Sequence, residues 1–225
     1  LFIDEINCVS ETLAPTMLQF LQNKTFGSHS VPEGWLIAAA GNPPEYNKSV
    51  REFDIVTLDR VRRMDIEADL GVWMEYAWKK EIHGSILAYL GMKKDHFYSV
   101  ENTVDGKFFV TARGWEDLSE ILKAYEELGV EITENLIGEY LCRDEIARSF
   151  FASYQLYRKY GEDYGLKRLL SGEMAEEEQQ KKVKMAEGAS FEERFLVTGL
   201  LLSGLNGSFL DYEKLDKETG AVYQE

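Results

Sequence analysis

The chain opens with an apolar run, Leu1–Ile3, that leads directly into two adjacent carboxylates, Asp4 and Glu5. A short apolar run of this kind is typical of a buried strand in a parallel sheet. Open α/β sheets bind ligands at the carboxyl ends of such strands, where both acids lie. Phosphoryl transfer from a nucleotide uses paired acids, one to hold Mg²⁺ and one to orient the attacking water. Two ordinary acids after a strand give the same pattern, so it leaves both interpretations open by itself.

A second apolar run, Trp35–Ala40, predicts a neighbouring buried strand that ends at Asn42, just before two prolines. The amide of this residue could bind both a γ-phosphate and the attacking water, although by itself an Asn before two prolines is more typical of a turn. Between the two runs, Ser10–Thr12 offers a helix start and Asn23–Gly34 is a turn-rich loop or hairpin. A third strand is a candidate at Met64–Ala68.

From Asp69 onward the apolar spacing becomes helical, apart from an irregular segment at Lys93–Ala112. The polar stretch Ser171–Ser190 is a solvated helix or a linker, and Asp211–Glu225 is expected to be a frayed tail. The helical spacing predicts four segments: Val72–Leu90, Gly114–Leu128, Thr133–Tyr160 (two helices or one kinked helix) and Phe191–Leu210.

The amino-acid composition limits the binding partners that we expect and the cellular compartment in which the protein works. The 225 residues include 40 Asp and Glu but only 25 Lys and Arg, for a formal net charge of −15. Nucleic-acid phosphates require a clustered basic face, so general nucleic-acid binding is disfavoured. The cysteines, Cys8 and Cys142, lack metal-ligand spacing and are expected to be reduced thiols. The longest apolar stretch, Phe195–Leu205, is too short to span a bilayer, and no signal peptide is evident. We therefore expect a cytoplasmic protein with no membrane segment.

Two further segments carry arginines that could contact a phosphate. The first is the basic segment Leu58–Arg63, and the second places Arg113 directly before a predicted helix. An arginine aimed at a phosphate stabilises charge in the transition state. The ordinary alternatives are a surface basic patch paired with nearby acids for the first segment, and a capping or lid-surface arginine for Arg113. The three histidines have no metal or triad spacing and are expected to be ordinary residues.

Four features follow one another along the chain: the paired acids, the Asn at a strand tip, the basic segment and the Arg of the helical part. Their order resembles that of the motifs in an AAA+ ATPase of the MoxR-like group. L-F-I-D-E-I-N resembles Walker B, and W-L-I-A-A-A-G-N-P resembles the sensor 1 strand. L-D-R-V-R-R resembles the arginine-finger segment, and T-A-R-G-W-E-D-L-S resembles the start of the sensor 2 helix. The resemblance covers residues 1–160.

The resemblance implies an α/β part followed by an all-α part. Residues 1–69 would be a truncated AAA+ P-loop NTPase core with sheet strands 3, 4 and 5. Residues 70–165 would be the helical lid domain, and residues 166–225 a polar linker with a C-terminal helical extension. Members of the family form hexameric rings, act as chaperone-like remodelling motors, and often work with a protein that carries a von Willebrand A domain.

The resemblance also implies roles at an ATP site. Asp4 would coordinate Mg²⁺, Glu5 would orient and polarise the attacking water, and Asn42 would be sensor 1. Arg60 would be the finger inserted into a neighbouring subunit's site.

Arg62 and Arg63 are weaker candidates for that finger. Arg113 would be sensor 2, which contacts ATP in its own subunit.

The chain departs from the family in one important respect. A G-x-x-x-x-G-K-[ST] loop, which holds the β- and γ-phosphates, is absent from the 225 residues. We therefore expect a piece of a longer ATPase that lacks the first two strands and hydrolyses no ATP alone. The alternative is a helical protein-interaction module in which Phe191–Leu210 docks a partner helix. A nucleic-acid remodeller of the same superfamily is disfavoured by the net charge.

Overall fold

The computed structural model describes residues 1–10, 12–43, 50, 55–59, 61–103 and 106–219. The chain is mixed α/β, mostly helical, with three two-stranded sheets in the described residues. It divides into two compact units, Leu1–Glu67 (unit 1) and Ala68–Glu225 (unit 2). None of the described helices is long and apolar enough to cross a membrane.

Unit 1 combines short strands with one longer helix. Its elements are β1 (Phe2–Ile3), α1 (Ala14–Asn23), β2 (Thr25–Phe26), β3 (His29–Ser30), β4 (Ala38–Ala39) and α2 (Ile55–Leu58).

The first and fourth strands of unit 1 form a parallel pair, in which Phe2 is opposite Ala38 and Ile3 is opposite Ala39. The prediction that the two apolar runs would be neighbouring strands is therefore confirmed, although both strands are shorter than their runs. The prediction that they are buried is wrong, because Phe2 is 66% exposed and Ala38 and Ala39 are exposed. A parallel pair is buried only when helices cover both faces.

The segment between these strands folds through local signals. Pro15 lies in the first turn of α1, where a missing backbone N–H is tolerated, and Phe20 is the helix's buried residue. Lys24 ends the helix with a left-handed backbone, and its N–H donates to Phe20 O at 2.8 Å. β2 and β3 then pair as a tight hairpin through a turn at Gly27, whose φ is 60°. The hairpin alternative for Asn23–Gly34 is thus confirmed.

The predicted third strand at Met64–Ala68 is wrong. These residues are described and have no strand partner among the described residues. Met64 is 81% exposed and Ile66 is 89% exposed. A strand is stabilised by its hydrogen-bonded neighbours, and an apolar segment without one remains extended and solvated.

Unit 2 consists of helices and one hairpin. Its elements are α3 (Leu70–Lys79), α4 (Gly84–Met92), β5 (Ser99–Thr103), β6 (Gly106–Val110), α5 (Ala112–Leu128), α6 (Glu134–Tyr140), α7 (Asp144–Asp163), α8 (Leu166–Leu170), α9 (Glu176–Glu187) and α10 (Phe191–Thr219).

Side-chain caps explain where several of these helices begin. Asp69 accepts a hydrogen bond from Val72 N at the start of α3. Thr111 and Thr133 cap α5 and α6 in the same way. Gly129, with φ 67°, ends α5 in the left-handed conformation that favours glycine. These local signals place the helix ends close to their predicted positions.

Three expectations for unit 2 are wrong. Val72–Leu90 is two helices, and the segment predicted as irregular, Lys93–Ala112, contains the β5–β6 hairpin. The tail is helical through Thr219 rather than frayed from Asp211. Residues 211–219 include no Gly or Pro, so nothing in their sequence breaks the helix.

An aromatic cluster forms the centre of the unit 2 core. Trp115 and Phe150 are both fully buried, with ring centroids 5.3 Å apart in an edge-to-face arrangement. Tyr89 lies 5.3 Å from Phe150 in the same geometry. The indole N–H of Trp115 donates to Phe97 O at 3.0 Å, so its polar atom is satisfied inside the core.

The last helix packs onto this core through small residues. Gly199 of α10 lies so close to α4 that an added Cβ would be 2.9 Å from Ala88 Cβ. Gly84, at the start of α4, is equally close to Ser203 of α10 and to Tyr157 of α7. α8 to α10 therefore belong to the same compact unit as the helices that precede them.

Candidate functional site

The parallel pairing of β1 with β4 brings polar side chains to one end of the pair. Asp4 and Glu5 follow β1 directly, and Asn42 follows β4 by three residues. The ladder continues past the strands, because Ala40 N donates to Ile3 O at 2.9 Å and Ile6 N donates to Ala40 O at 3.0 Å. The ends of both strands are thus held together where these side chains begin.

The chain turns sharply at the two acids. Glu5 has a left-handed backbone, with φ 51° and ψ 37°, which is uncommon outside glycine and costs about 1 kcal/mol. Asp4 Oδ1 accepts a hydrogen bond from Glu5 N at 2.9 Å and supports the turn. A 3₁₀ turn then covers Ile6–Cys8, and Ile6 is 5% exposed. The buried Ile6 anchors the turn and leaves both carboxylates exposed.

An amide of the first segment connects the two strand ends. Asn7 Nδ2 donates to the backbone oxygen of Asn42 at 2.8 Å. Asn7 Oδ1 is buried and has no hydrogen-bond partner among the described residues. The same side chain lies against Gly41, where an added Cβ would overlap Oδ1 and lie 2.8 Å from Cγ. Asn7 was part of the predicted motif, but its sequence position gave no indication of this contact.

We call Asp4, Glu5, Asn7 and Asn42 the strand-tip cluster. Its two exposed carboxylates offer hard oxygen ligands, which suit Mg²⁺. Mg²⁺ in nucleotide sites takes one or two carboxylates, with waters and phosphate oxygens completing the octahedron. Within the described ranges, no group of three or more His, Cys, Asp or Glu side chains could hold a metal ion. Asp4 and Glu5 are therefore the carboxylates that the cluster could offer to a metal ion.

The arginines of the basic segment are placed differently from one another. Arg60 lies outside the described residues. Arg62 is exposed, and Arg63 Nε forms an exposed ion pair with Asp65 Oδ1 at 2.8 Å. A pair this exposed contributes little to stability.

Arg113 is the second residue of α5 in unit 2, and it is exposed. One alternative interpretation of Arg113 was that it caps the helix. The cap is instead Thr111, whose Oγ1 accepts a hydrogen bond from Gly114 N at 3.2 Å. The arginine of this turn is therefore not used as a side-chain cap for its own helix.

A partly buried polar network in unit 2 was not predicted from the sequence. His83 Nε2 lies 3.1 Å from Glu126 Oε2, and His83 Nδ1 lies 2.7 Å from Ser85 Oγ. Tyr154 donates from its hydroxyl to Glu126 Oε1 at 2.8 Å. Burial, with the hydrogen bond to Glu126 next, raises the pKa of Tyr154. The expectation that the histidines have ordinary, satisfied environments is therefore confirmed for His83.

The pKa of Glu126 is lowered. Burial acts to raise it, but the hydrogen bond from His83 acts in the opposite direction, and together with the hydrogen bond from Tyr154 and the positive charge of Arg158 it prevails. The network thus stabilises the ionised carboxylate and ties the start of α4 to α5 and α7. Ser85 is 1% exposed, so the serine of this network is not accessible to a substrate.

The described residues define a mixed, mostly helical α/β chain whose short parallel strand pair ends in two acids and two amides. Comparison with protein-family models, with curated proteins and with solved structures found no match for this chain.

Proposed function

We propose that this chain contributes the acid and sensor residues of an ATP-hydrolysis site like that of MoxR-like AAA+ ATPases. The observation that supports the proposal is the parallel pairing of β1 with β4, because it puts Asp4, Glu5 and Asn42 at the same end of the pair. A phosphate-binding G-x-x-x-x-G-K-[ST] loop is absent from the 225 residues, so the site requires one from a further segment.

Each residue of the proposed site has a distinct part. Asp4 holds Mg²⁺, which neutralises the charge that develops on the phosphate oxygens. Glu5 orients the attacking water and polarises it. Asn42 donates from its amide to the γ-phosphate and fixes the position of that water. These roles require that a nucleotide can reach both carboxylates, and both are exposed.

The arginines extend the proposal to an assembly. Arg60 enters the site of the neighbouring subunit in a hexameric ring, and such a finger accelerates hydrolysis about a thousandfold or more. Arg113 contacts ATP in its own subunit and couples the lid to the nucleotide state. The ring converts hydrolysis into remodelling of a protein partner, together with a von Willebrand A domain protein.

The test is Glu5→Gln in the product of the complete gene. We expect this variant to bind ATP with Mg²⁺ and to stop turnover, because Gln retains the shape of the side chain without its charge. Glu33→Gln is the matched control, since Glu33 is an exposed acid of the same unit. Turnover that is unchanged in Glu5→Gln, measured as phosphate release, would contradict the role of Glu5.

A second candidate function is a helical protein-interaction module without ATPase activity. Leu202, Leu205 and Phe209 of α10 lie three and four residues apart and are 52%, 57% and 62% exposed. Residues at this spacing share one helix face and can dock a partner helix. A complete gene product without a phosphate-binding loop and without ATP hydrolysis would favour this module over the ATPase.

A further inference from the structure

We propose that Asn7 is a positioning residue, which holds Asn42 in the orientation needed at the strand tips. This inference rests on the proposed function, because the sensor role of Asn42 is part of it. Three features of the contact support the inference: the direction of its hydrogen bond, the space left by Gly41, and the unpartnered oxygen of the Asn7 amide.

The direction of the hydrogen bond fixes the orientation of the Asn7 amide. The backbone oxygen of Asn42 can only accept, so the nitrogen of the amide must face it, at 2.8 Å. Asn42 precedes Pro43, and a residue before proline already has a restricted backbone. Holding its carbonyl therefore restricts the backbone of Asn42 further, and with it the position from which the Asn42 side chain leaves the strand tip.

Gly41 provides the space that this contact requires. An added Cβ at residue 41 would overlap Asn7 Oδ1 and lie 2.8 Å from Asn7 Cγ and 3.2 Å from Asn7 Nδ2. A Cβ is almost never found within 3.0 Å of another heavy atom, so any larger residue would displace the amide. Asn7 and Gly41 thus form a matched pair across the two strand ends.

The buried oxygen indicates what the amide is used for. Asn7 Oδ1 has no partner among the described residues, and burying an unpaired acceptor destabilises a fold. A leucine has a similar shape and would avoid this penalty, but it could not donate to Asn42. The contribution specific to Asn at residue 7 is therefore the donated hydrogen bond.

The experiment measures ATP hydrolysis by the complete gene product in three variants: Asn7→Ala, Asn42→Ala and the double variant. We expect Asn7→Ala to lower kcat about tenfold, as the loss of one orienting hydrogen bond does, with KM for ATP unchanged. Because Asn7 acts through Asn42, the double variant should be no slower than Asn42→Ala alone. Asn23→Ala, at the exposed end of α1, is the matched control and should hydrolyse ATP at the wild-type rate.

Three outcomes would overturn the inference, and they differ in what else they affect. A wild-type rate in Asn7→Ala would remove the positioning role. Rate losses that multiply in the double variant, when Asn42→Ala alone is impaired, would also remove it. Both results leave the proposed function unaffected. No ATP hydrolysis by the wild-type complete product removes the proposed function and the inference together.

A second measurement does not depend on hydrolysis. In NMR spectra of the 225-residue chain, the side-chain amide protons of Asn7 should exchange slowly with solvent, and Gly41→Ala should make them exchange at the rate of an exposed Asn such as Asn23. Fast exchange in the wild-type chain would overturn the contact itself. Comparison of the remaining amide resonances shows whether Gly41→Ala has kept the fold.

Discussion

His83 Nε2 lies 3.1 Å from Glu126 Oε2, and this contact joins the start of α4 to α5. The backbone N–H of Ser85 points at His83 Nδ1 from 3.3 Å, and an N–H can only donate. Nδ1 is therefore the acceptor, and the proton lies on Nε2, where it is donated to the carboxylate. With the hydroxyl of Tyr154 on its other oxygen, Glu126 accepts two hydrogen bonds in its ionised form.

The first prediction concerns Glu126 and pH. Its folded pKa is lowered, so its contribution is fully present above the unfolded pKa and is lost as pH falls through the folded pKa. At neutral pH we expect Glu126→Gln to cost about 1 kcal/mol of the free energy of unfolding, a value reduced by partial exposure. The difference from wild type should shrink as the pH is lowered from 7 to 3 in thermal unfolding.

Glu127→Gln is the matched control, because Glu127 is adjacent and similarly exposed, whereas the carboxylate that His83 and Tyr154 contact is that of Glu126. Its thermal stability should follow that of the wild type across the same pH range. A constant difference between Glu126→Gln and the wild type at every pH would show that ionisation of Glu126 does not contribute to stability.

The second prediction compares two glycines of unit 2. At Gly84 an added Cβ would overlap the hydroxyl of Tyr157 and lie 2.5 Å from Ser203 Oγ. Gly84→Ala should therefore cost about 1 to 3 kcal/mol through overpacking, and it should loosen α10. At Gly138, inside α6, an added Cβ meets no described atom within 4 Å. Gly138→Ala should stabilise the chain by about 0.5 to 1 kcal/mol through helix propensity.

Chemical denaturation measures both changes, and hydrogen exchange of the α10 amides reports the loosening. Equal effects of the two substitutions would contradict the close packing of α4, α7 and α10. Faster exchange in α10 with Gly84→Ala alone is the expected pattern.

The third prediction separates binding from stability at Arg113. This residue is exposed and its helix is capped by Thr111, so Arg113→Ala should change the free energy of unfolding by no more than about 0.5 kcal/mol. In the complete gene product, the same variant should weaken ATP binding if Arg113 is the proposed sensor 2. Lys123→Ala, further along the same helix, is the control and should leave ATP binding unchanged. Wild-type ATP affinity in Arg113→Ala would contradict the sensor role.

Local signals explain which parts of the fold could be predicted from the sequence. Thr111 and Gly129 mark the ends of α5, and a polar side chain or a glycine at these positions is visible without any tertiary information. The β5–β6 hairpin was missed, because both of its strands lie in the segment Lys93–Ala112, which was predicted to be irregular. Its second strand also bonds outside the hairpin, where Phe109 N donates to Cys142 O at 3.2 Å. Contacts of this kind join segments that sequence patterns treat separately.

In the candidate site, too, some features could be predicted from the sequence and others could not. The positions of Asp4 and Asn42 at strand ends follow from two apolar runs, and the sequence predicted both. The contact of Asn7 with Asn42 depends on the register of two strands and on the space at Gly41. Neither is visible in a single sequence, because each depends on which residues face one another after folding.

The pairing of β1 with β4 also determines the order in which unit 1 assembles. Thr25 pairs with Ser30 and α1 is contiguous, so both form by closing short loops. Phe2 pairs instead with Ala38, so these strands meet only after a long loop has closed, at a larger cost in chain entropy. We therefore expect the acids and amides at the strand ends to come together after α1 and the β2–β3 hairpin have formed.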